Sequence, residues 1–218
     1  MNTVRDFLHE SLVANNHLAA LEIEEKLAAY LELLNKWNRV YNLTAIRDLR
    51  ESVLLHILDS LAIRQYLHGN YIIDVGTGAG LPGIPLALIC PDKQFVLLDS
   101  NSKKTRFLSQ VMYELELRNV QVVHSRCEDF SAQKKFDSIL SRAFASIQVM
   151  LESTQHLLAE QGQFLAMKGV YPVAEIKAIP QSFQVIAVHK LSIKRLDAER
   201  HLACVTKGVT IGQNHRDC

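Results

Sequence analysis

The stretch Ile72–Gly83, which reads IIDVGTGAGLPG, constrains the fold more than any other part of this chain. An apolar run ends in an acid, and four glycines follow within eight residues. Glycine adopts positive φ values without strain and lets a ligand approach the backbone closely. A buried strand followed by such a turn predicts a ligand site at the carboxyl edge of an open α/β sheet.

Beyond residue 69, short apolar runs alternate with helical stretches. Strands are predicted at Tyr71–Val75, Gln94–Leu98, Val120–His124, Phe136–Ser141, Gln163–Met167, Phe183–His189 and Leu202–Thr206. Helices are predicted at Ile84–Ile89, Lys103–Leu117, Ile147–Leu158 and Val173–Ala178. This alternation predicts a mostly parallel sheet with helices on both faces. The last two strands have no clear helix between them, which predicts an antiparallel hairpin.

The first seventy residues have a helical pattern instead. Apolar side chains recur on one face of Leu21–Trp37 and again on one face of Leu54–Leu67. The segment VYNLTAIRD between them is rich in capping and turn residues. We therefore expect a helical extension over residues 1–68, an α/β domain over 69–207 and a loose tail over 208–218.

Composition limits the class of protein. With 218 residues, of which 48% are hydrophobic, the chain can bury a sizeable core, and a formal net charge of +1 gives no global argument for nucleic-acid binding. The four cysteines lie far apart without a CxxC pair, which argues against a zinc site and a disulfide framework. No apolar run reaches the roughly 18 residues of a membrane span, and the N-terminus lacks the apolar core of a signal peptide. We expect a cytoplasmic protein without a metal site.

The acid at the end of the first strand, Asp74, separates two classes of ligand. In the register that begins Gly76-x-Gly78, Leu81 stands where a dinucleotide fingerprint has its third glycine. A carboxylate at this strand end would also repel a pyrophosphate, whereas it suits the α-ammonium of S-adenosylmethionine. The alternative is that Asp74 only caps the turn.

Two further polar positions follow the neighbouring strands. Asp99 ends the second predicted strand, where a carboxylate can accept hydrogen bonds from both ribose hydroxyls of an adenosine. This feature suits NAD as well as S-adenosylmethionine. The loop SRCED, residues 125–129, follows the third strand and is placed to contact the adenine edge. The predicted cofactor is S-adenosylmethionine, surrounded by Asp74, Gly76, Gly78 and Asp99.

At these residues the chain resembles the bacterial 16S rRNA guanine-N7 methyltransferase G family, also called glucose-inhibited division protein B. The segments that carry the resemblance are LNKWNRVYNLTAIRD (34–48), HILDSL (56–61), IDVGTGAGLPGIPLA (73–87), LLDSNSKKTRFL (97–108), FDSILSRAFAS (136–146), AMKG (166–169) and ERHL (199–202). The resemblance implies a Rossmann-like class I S-adenosylmethionine-dependent methyltransferase. Its fold would be a seven-stranded, mostly parallel sheet in a three-layer αβα sandwich with a helical N-terminal extension.

The resemblance also implies an activity and a set of site residues. The activity is methylation of N7 of one guanine in the decoding-region loop of 16S rRNA. The substrate is either the free RNA or the assembling small ribosomal subunit, and a monomer is the default expectation. The donor-binding residues that carry over are Gly76, Leu81, Cys127, Glu128 and Arg142. Members of the family often have a small residue where Cys127 stands, and a backbone contact would tolerate that difference.

Guanine N7 carries a lone pair rather than a proton, so its methylation needs no general base. The fourth strand ends SRAF and lacks the Asp/Asn-Pro-Pro-aromatic signature of amine methylation. Catalysis would then consist mainly of positioning for in-line attack. Arg142 is the predicted positioning residue, acting on the donor's carboxylate, a substrate phosphate or guanine O6, with a salt bridge to a helix acid as the alternative. Phe144 either stacks on an extruded base or packs in the core.

Basic side chains elsewhere predict contacts with RNA phosphates, with scattered surface charge as the alternative. Those assigned to substrate binding are Arg39, Arg47, Lys103, Lys104, Arg106 and Lys168. His56 and Asp59 lie at i and i+3, which is more typical of a packed histidine paired with an acid than of a metal site. The residues alone leave three other functions open: methylation of another substrate, a Rossmann-type NAD-dependent oxidoreductase and a non-catalytic RNA-binding module.

Overall fold

The computed structural model describes residues 3–208, and a seven-stranded sheet lies at the centre of this part of the chain. The strands are β1 (Tyr71–Val75), β2 (Gln94–Asp99), β3 (Val120–His124), β4 (Phe136–Arg142), β5 (Leu158–Lys168), β6 (Phe183–Lys190) and β7 (His201–Lys207). Their order across the sheet is β3-β2-β1-β4-β5-β7-β6. β1 to β5 pair in parallel, whereas β7 is antiparallel to both β5 and β6. The mostly parallel sheet and the antiparallel terminal hairpin are confirmed.

Eight α-helices surround the sheet within residues 3–208. They are α1 (Val4–Ala14), α2 (Leu21–Tyr41), α3 (Leu49–Ser52), α4 (Asp59–Leu61), α5 (Gly83–Ile89), α6 (Ser102–Glu114), α7 (Ile147–Thr154) and α8 (Val173–Lys177). Four of them begin at a side chain that accepts a hydrogen bond from an N–H of the first turn, which is the usual way to satisfy these free donors. These capping residues are Thr3, Asp48, Asn101 and Ser146.

Three helical predictions differ from the structure in detail. The predicted helix Leu54–Leu67 is a π-helix at Val53–Leu58, the short α4 and a 3-10 turn at Arg64–Tyr66. α6 ends before the predicted Leu117, and Glu116 has a φ of 53°, which a continuing helix does not allow. α7 gives way to a 3-10 turn at Gln155–Leu157, and β5 begins directly after it.

Alternate side chains of the central strands enter two separate hydrophobic clusters, because successive residues of a strand face opposite sides of the sheet. Ile72 and Leu97 pack with α5, α6 and the N-terminal helices. Ile73 and Leu98 belong to the second cluster, which also contains Met150 of α7. Helical layers therefore cover both faces, as expected for a three-layer αβα sandwich.

The N-terminal helices share the first of these clusters with the sheet. Leu27 and Tyr30 of α2 lie in it beside Leu86 of α5 and Phe107 of α6, and all four side chains are buried. The Tyr30 hydroxyl also donates a hydrogen bond of 2.8 Å to the carbonyl of Ala79 in the glycine-rich turn. The extension thus supports the turn directly, while a domain boundary at residues 68 and 69 stays a prediction. The predicted tail lies outside the described residues, apart from Gly208.

Candidate active site

The glycine-rich turn connects β1 to α5 and contains three residues with positive φ: Gly76 at 66°, Gly78 at 62° and Gly80 at 92°. A Cβ added to Gly76 would lie 2.7 Å from the Phe144 ring, so both its conformation and its surroundings require glycine. At Gly78 an added Cβ would find only the Gly76 carbonyl oxygen and Lys104 Nζ within 4 Å, each at 3.9 Å. The turn therefore leaves space for a ligand beside its backbone.

Asp74 lies beneath this turn and is fully buried. Its Oδ2 accepts hydrogen bonds from the Thr77 hydroxyl (2.7 Å) and from the N–H of Gly83 (2.9 Å), so one carboxylate oxygen ties the two ends of the turn together. Its Oδ1 has no hydrogen-bond partner among the described residues. Burial raises the pKa of Asp74 to about 7, although both hydrogen bonds oppose this shift. The structure gives Asp74 the role of turn support, and its contact with a bound ligand stays a prediction.

A cavity of about 470 Å³ opens in front of the turn, within the size range of small-molecule sites. We call it the glycine-turn cavity. Its lining residues are Gly76, Leu98, Asp99, Ser100, Lys104, Ser125, Arg126, Cys127, Glu128, Ala143, Phe144 and Ala145. It brings together four of the predicted donor-binding residues from the ends of three strands. Leu81, a fifth, is buried behind the turn.

Asp99 is a buried carboxylate in the glycine-turn cavity, and its side chain is 6% exposed. Oδ2 accepts from the N–H of Gly78 at 2.9 Å and lies 3.4 Å from Lys104 Nζ, while Oδ1 accepts from the N–H of Asn101 at 2.8 Å. The carboxylate is thus fixed beside the turn. Lys104 lines this cavity and pairs with Asp99, whereas the sequence prediction assigned it to RNA phosphates.

Cys127 and Glu128 close the end of the cavity beyond β3. Burial raises the pKa of the Cys127 thiol, which keeps it protonated and unreactive. Glu128 is exposed, and a hydrogen bond from its own N–H lowers the pKa of its carboxyl. The pair therefore offers one buried apolar contact and one carboxylate at the mouth.

Phe144 lies against Gly76 and packs with the second hydrophobic cluster. This position matches the core-packing alternative of its sequence prediction.

A second cavity of about 430 Å³ adjoins the first, and Ala143 lines both. We call it the arginine cavity. Its lining residues are Ile46, Leu55, His56, Asp59, Arg142, Ala143, Met167, Lys168, Gly169, Leu191, Arg200 and His201. Arg142 Nη1 donates to the carbonyl of Leu55 (2.8 Å) and to Asp59 Oδ2 (3.1 Å), and Arg200 Nε donates to Asp59 Oδ1 (3.0 Å). Arg142 thus forms the salt bridge to a helix acid that was its alternative, and its contact with the donor stays a prediction.

The predicted pairing of His56 with Asp59 is wrong. His56 is packed as expected, but its Nε2 lies 3.1 Å from the Thr44 hydroxyl, while both oxygens of Asp59 are taken by arginines. Burial and the nearby charge of Arg142 lower the pKa of His56 to about 4, so this imidazole is neutral at pH 7. The arginine cavity therefore contains a neutral histidine and a carboxylate shared between two cations.

The other predicted RNA-binding side chains lie in different places. Lys168 lines the arginine cavity, where Nζ bonds Glu175 at 2.7 Å. Arg47 is exposed and donates to Asn42 Oδ1, next to the lining residue Ile46. Arg39 on α2 and the pair Lys103 and Arg106 on α6 are exposed.

The sequence analysis did not assign two residues of this region, Arg200 and Tyr171. The ring of Tyr171 meets that of His201 edge-on at 5.5 Å. Only the motif ERHL pointed toward Arg200.

The strand order, the glycine turn after β1 and the acid at the end of β2 together define a class I S-adenosylmethionine-dependent methyltransferase. The SAM dependent methyltransferase from Aquifex aeolicus has the same fold, with a TM-score of 0.57 at 16% identity over 71% of this chain and 92% of that one. The chain belongs to the rRNA small subunit methyltransferase G (GidB) family, whose model matches residues 23–203.

Relatives in this family match the chain over most of its length. The Ribosomal RNA small subunit methyltransferase G of Idiomarina loihiensis is 47% identical over 194 residues, or 89% of this chain and 94% of the relative. That of a Marinomonas species is 51% identical over 191 residues, or 87% and 92%. An Escherichia coli protein of the same name is 49% identical over 182 residues, or 84% and 88%. The family and its fold confirm a methyltransferase with S-adenosylmethionine as cofactor, and they exclude the oxidoreductase alternative.

Two further observations concern membrane-spanning helices and metal sites. Over residues 3–208 no helix is both long enough and apolar enough to cross a membrane. The same part of the chain contains no group of three or more His, Cys, Asp or Glu side chains arranged to hold a metal ion.

Proposed function

We propose that the chain transfers the methyl group of S-adenosylmethionine to N7 of one guanine in the decoding-region loop of bacterial 16S rRNA. The observation that carries this proposal is the contact between the glycine-turn cavity and the arginine cavity at Ala143. A methyl donor and a nucleotide acceptor held in these two spaces would meet at the carboxyl end of β4. The choice of rRNA follows the printed names of the relatives, and the choice of N7 follows the resemblance of the sequence motifs.

The residues of the glycine-turn cavity fit S-adenosylmethionine. Gly76 and Gly78 let the ligand approach the backbone, and the fixed carboxylate of Asp99 suits the two ribose hydroxyls. We assign Cys127 and Glu128, which line the same cavity, to the adenine. When bound, S-adenosylmethionine supplies an electrophilic methyl group on a positively charged sulfur.

The arginine cavity suits a guanine presented by its N7 edge. O6 and N7 of guanine are hydrogen-bond acceptors, and guanidinium groups are their preferred protein partners. Asp59, the carboxylate among the described lining residues, is already engaged by two guanidiniums, and His56 is tied to Thr44. These groups are poorly placed to remove a proton from an exocyclic amine. A ring nitrogen with a free lone pair needs no such base, so positioning alone can drive its attack.

Tyr171 is the aromatic side chain that we assign to base stacking in place of Phe144. Tyr171 is 50% exposed, lies two positions after the lining residue Gly169, and its ring meets that of the lining residue His201 edge-on. RNA readers hold unpaired bases on such exposed rings. Lys168 and Arg47 lie beside the same cavity, and Arg39, Lys103 and Arg106 are assigned to more distant phosphates. We also propose a cytoplasmic location, because bacterial ribosomal RNA is modified where ribosomes assemble, and a monomer stays our expectation.

The test is methyl transfer from labelled S-adenosylmethionine to 16S rRNA that lacks its own modification, offered both as free RNA and as 30S subunits. We expect labelled 7-methylguanosine at a single loop position, identified by nucleoside mass spectrometry after nuclease mapping. Preference for one of the two forms identifies the natural substrate.

Two controls limit the interpretation. RNA with that guanine changed to adenine should accept no label, and Gly76→Ala should reduce transfer because an added Cβ strains the turn and meets the Phe144 ring. A different methylated nucleoside would refute N7. Label found in ribosomal protein instead of RNA would favour the alternative of another substrate, and donor binding without any transfer would favour the non-catalytic module.

A further inference from the structure

Asp59 occupies an unusual position in the arginine cavity. It begins α4 directly after the π-helix Val53–Leu58, and its side chain is only 5% exposed. Its two oxygens receive hydrogen bonds from Arg142 and Arg200, which lie 83 and 141 positions further along the chain. A π-helical segment inside a longer helix often marks a functional site. One buried acid thus joins the N-terminal helices, the end of β4 and the segment before β7.

We propose that Asp59 is a positioning residue that holds Arg142 and Arg200 at the acceptor nucleotide and limits the positive charge of the arginine cavity. This inference rests on the proposed function. Each guanidinium keeps further N–H groups beyond those bonded to Asp59, and these can face a ligand. Without the carboxylate, two neighbouring cations would repel each other and take up separate orientations. The cavity would then attract phosphate more strongly and orient guanine less well.

This role predicts that loss of the carboxylate lowers turnover without weakening RNA binding. In Asp59→Asn the side chain keeps its size and loses one negative charge. The amide NH₂ group replaces one carboxylate oxygen and cannot accept a hydrogen bond, so only one of the two guanidinium groups keeps its partner. We expect single-turnover methyl transfer to fall by about tenfold to a hundredfold, because misplacement of reacting groups by a fraction of a bond length has effects of that order. RNA binding should stay the same or tighten by about twofold to threefold and become more dependent on salt. A residue that merely stabilises the fold would weaken both.

The experiment compares wild type, Asp59→Asn and Asp137→Asn at saturating S-adenosylmethionine. Asp137 is the matched control, because it also accepts two hydrogen bonds, from the N–H groups of Asn70 and Tyr71, but lies at the amino end of β4. Transfer is measured in a single turnover on the RNA form that wild type prefers. RNA affinity is measured by filter binding at two salt concentrations, and donor affinity by calorimetry. Asp137→Asn should leave turnover and RNA affinity within about twofold of wild type.

Two results would overturn the inference: turnover of Asp59→Asn within twofold of wild type, or a parallel loss of turnover and RNA affinity. If Asp59→Asn does not fold, Asp59→Glu provides the second test, because it keeps the negative charge but displaces the carboxylate by one methylene. It should bind RNA within about twofold of wild type and transfer methyl more slowly, and transfer at the wild-type rate would refute the inference. Absence of transfer by wild type would refute the proposed function instead, and the RNA affinities would still test the charge role of Asp59.

Discussion

Replacement of Asp74 by asparagine should stabilise the protein in alkaline solution. The folded state raises the pKa of this carboxyl from 3.8 to about 7, chiefly because the group is buried. The folded state therefore binds this proton more tightly than the unfolded state, and the contribution of Asp74 to stability falls as the pH rises from about 4 to about 7. Asparagine keeps the oxygen that accepts from Thr77 and Gly83 and removes the charge.

The size of the effect follows from the same values. A shift of this extent corresponds to a ceiling of about 4 kcal/mol for ionised Asp74 at pH 8. The Asn Nδ2 would take the place of Oδ1, which has no hydrogen-bond partner among the described residues, and this unpaired amide costs about 1–2 kcal/mol. We expect Asp74→Asn to raise the free energy of unfolding by about 1–3 kcal/mol at pH 8, or the melting temperature by roughly 5 °C. Most of this gain should disappear by pH 4.5.

The assay is urea denaturation of wild type and variant at pH 8, 6 and 4.5, because the other titrating groups cancel in the difference. Asp137→Asn serves as the control of opposite sign. Burial acts to raise the pKa of Asp137, but the N–H groups of Tyr71 and Asn70 outweigh it and lower the pKa overall. That variant should lose stability to a similar extent at pH 8 and pH 4.5. A difference for Asp74→Asn that is independent of pH, or a loss at pH 8, would show that the carboxylate is ionised without penalty and refute the reasoning.

Two further predictions concern ligand binding. Gly76→Ala should weaken S-adenosylmethionine binding in calorimetry by about tenfold or more, because alanine resists a positive φ and its Cβ meets the Phe144 ring; unchanged affinity would mean that the turn can rearrange. Tyr171→Ala should weaken RNA binding by about fivefold or more while Tyr171→Trp retains it, since stacking on a base contributes about 1–3 kcal/mol. Tyr113→Ala, at a tyrosine that is 80% exposed on α6, is the matched control, and equal effects at both tyrosines would contradict a specific role for Tyr171.

The strands were predictable from the sequence because each is a compact apolar run with turn residues at its ends. β1 and β3 have the predicted bounds, and the antiparallel hairpin followed from the missing helix before β7. The composite helix over residues 49–66 was less predictable, because an amphipathic pattern does not distinguish α-helical from π-helical or 3-10 turns. Helix ends at α6 and α7 depended on backbone conformations that single residues do not specify.

The site was predictable to different degrees at its two cavities. Asp99, Cys127 and Glu128 follow parallel strands, and strand ends of that kind must meet at one edge of the sheet. The arginine cavity depends on contacts between Asp59, Arg142 and Arg200, whose separations of 83 and 141 positions leave no local pattern. Asp74 shows a different limit: its position was evident, but only the packed structure shows that its carboxylate lies beneath the turn.

The hydrogen bond from Tyr30 to the Ala79 carbonyl has a consequence for folding during translation. Ribosomes make α2 well before α5 and α6, yet Leu27 and Tyr30 pack against side chains of those later helices. During translation the part of α2 that packs against α5 and α6 therefore stays uncovered until those helices have emerged, and exposed apolar surface of this kind is prone to aggregate. The docking of α2 on α5 and α6 also brings Tyr30 to the Ala79 carbonyl in the glycine turn. Burial of this apolar surface and support of the turn that holds the methyl donor would thus occur in the same step of folding.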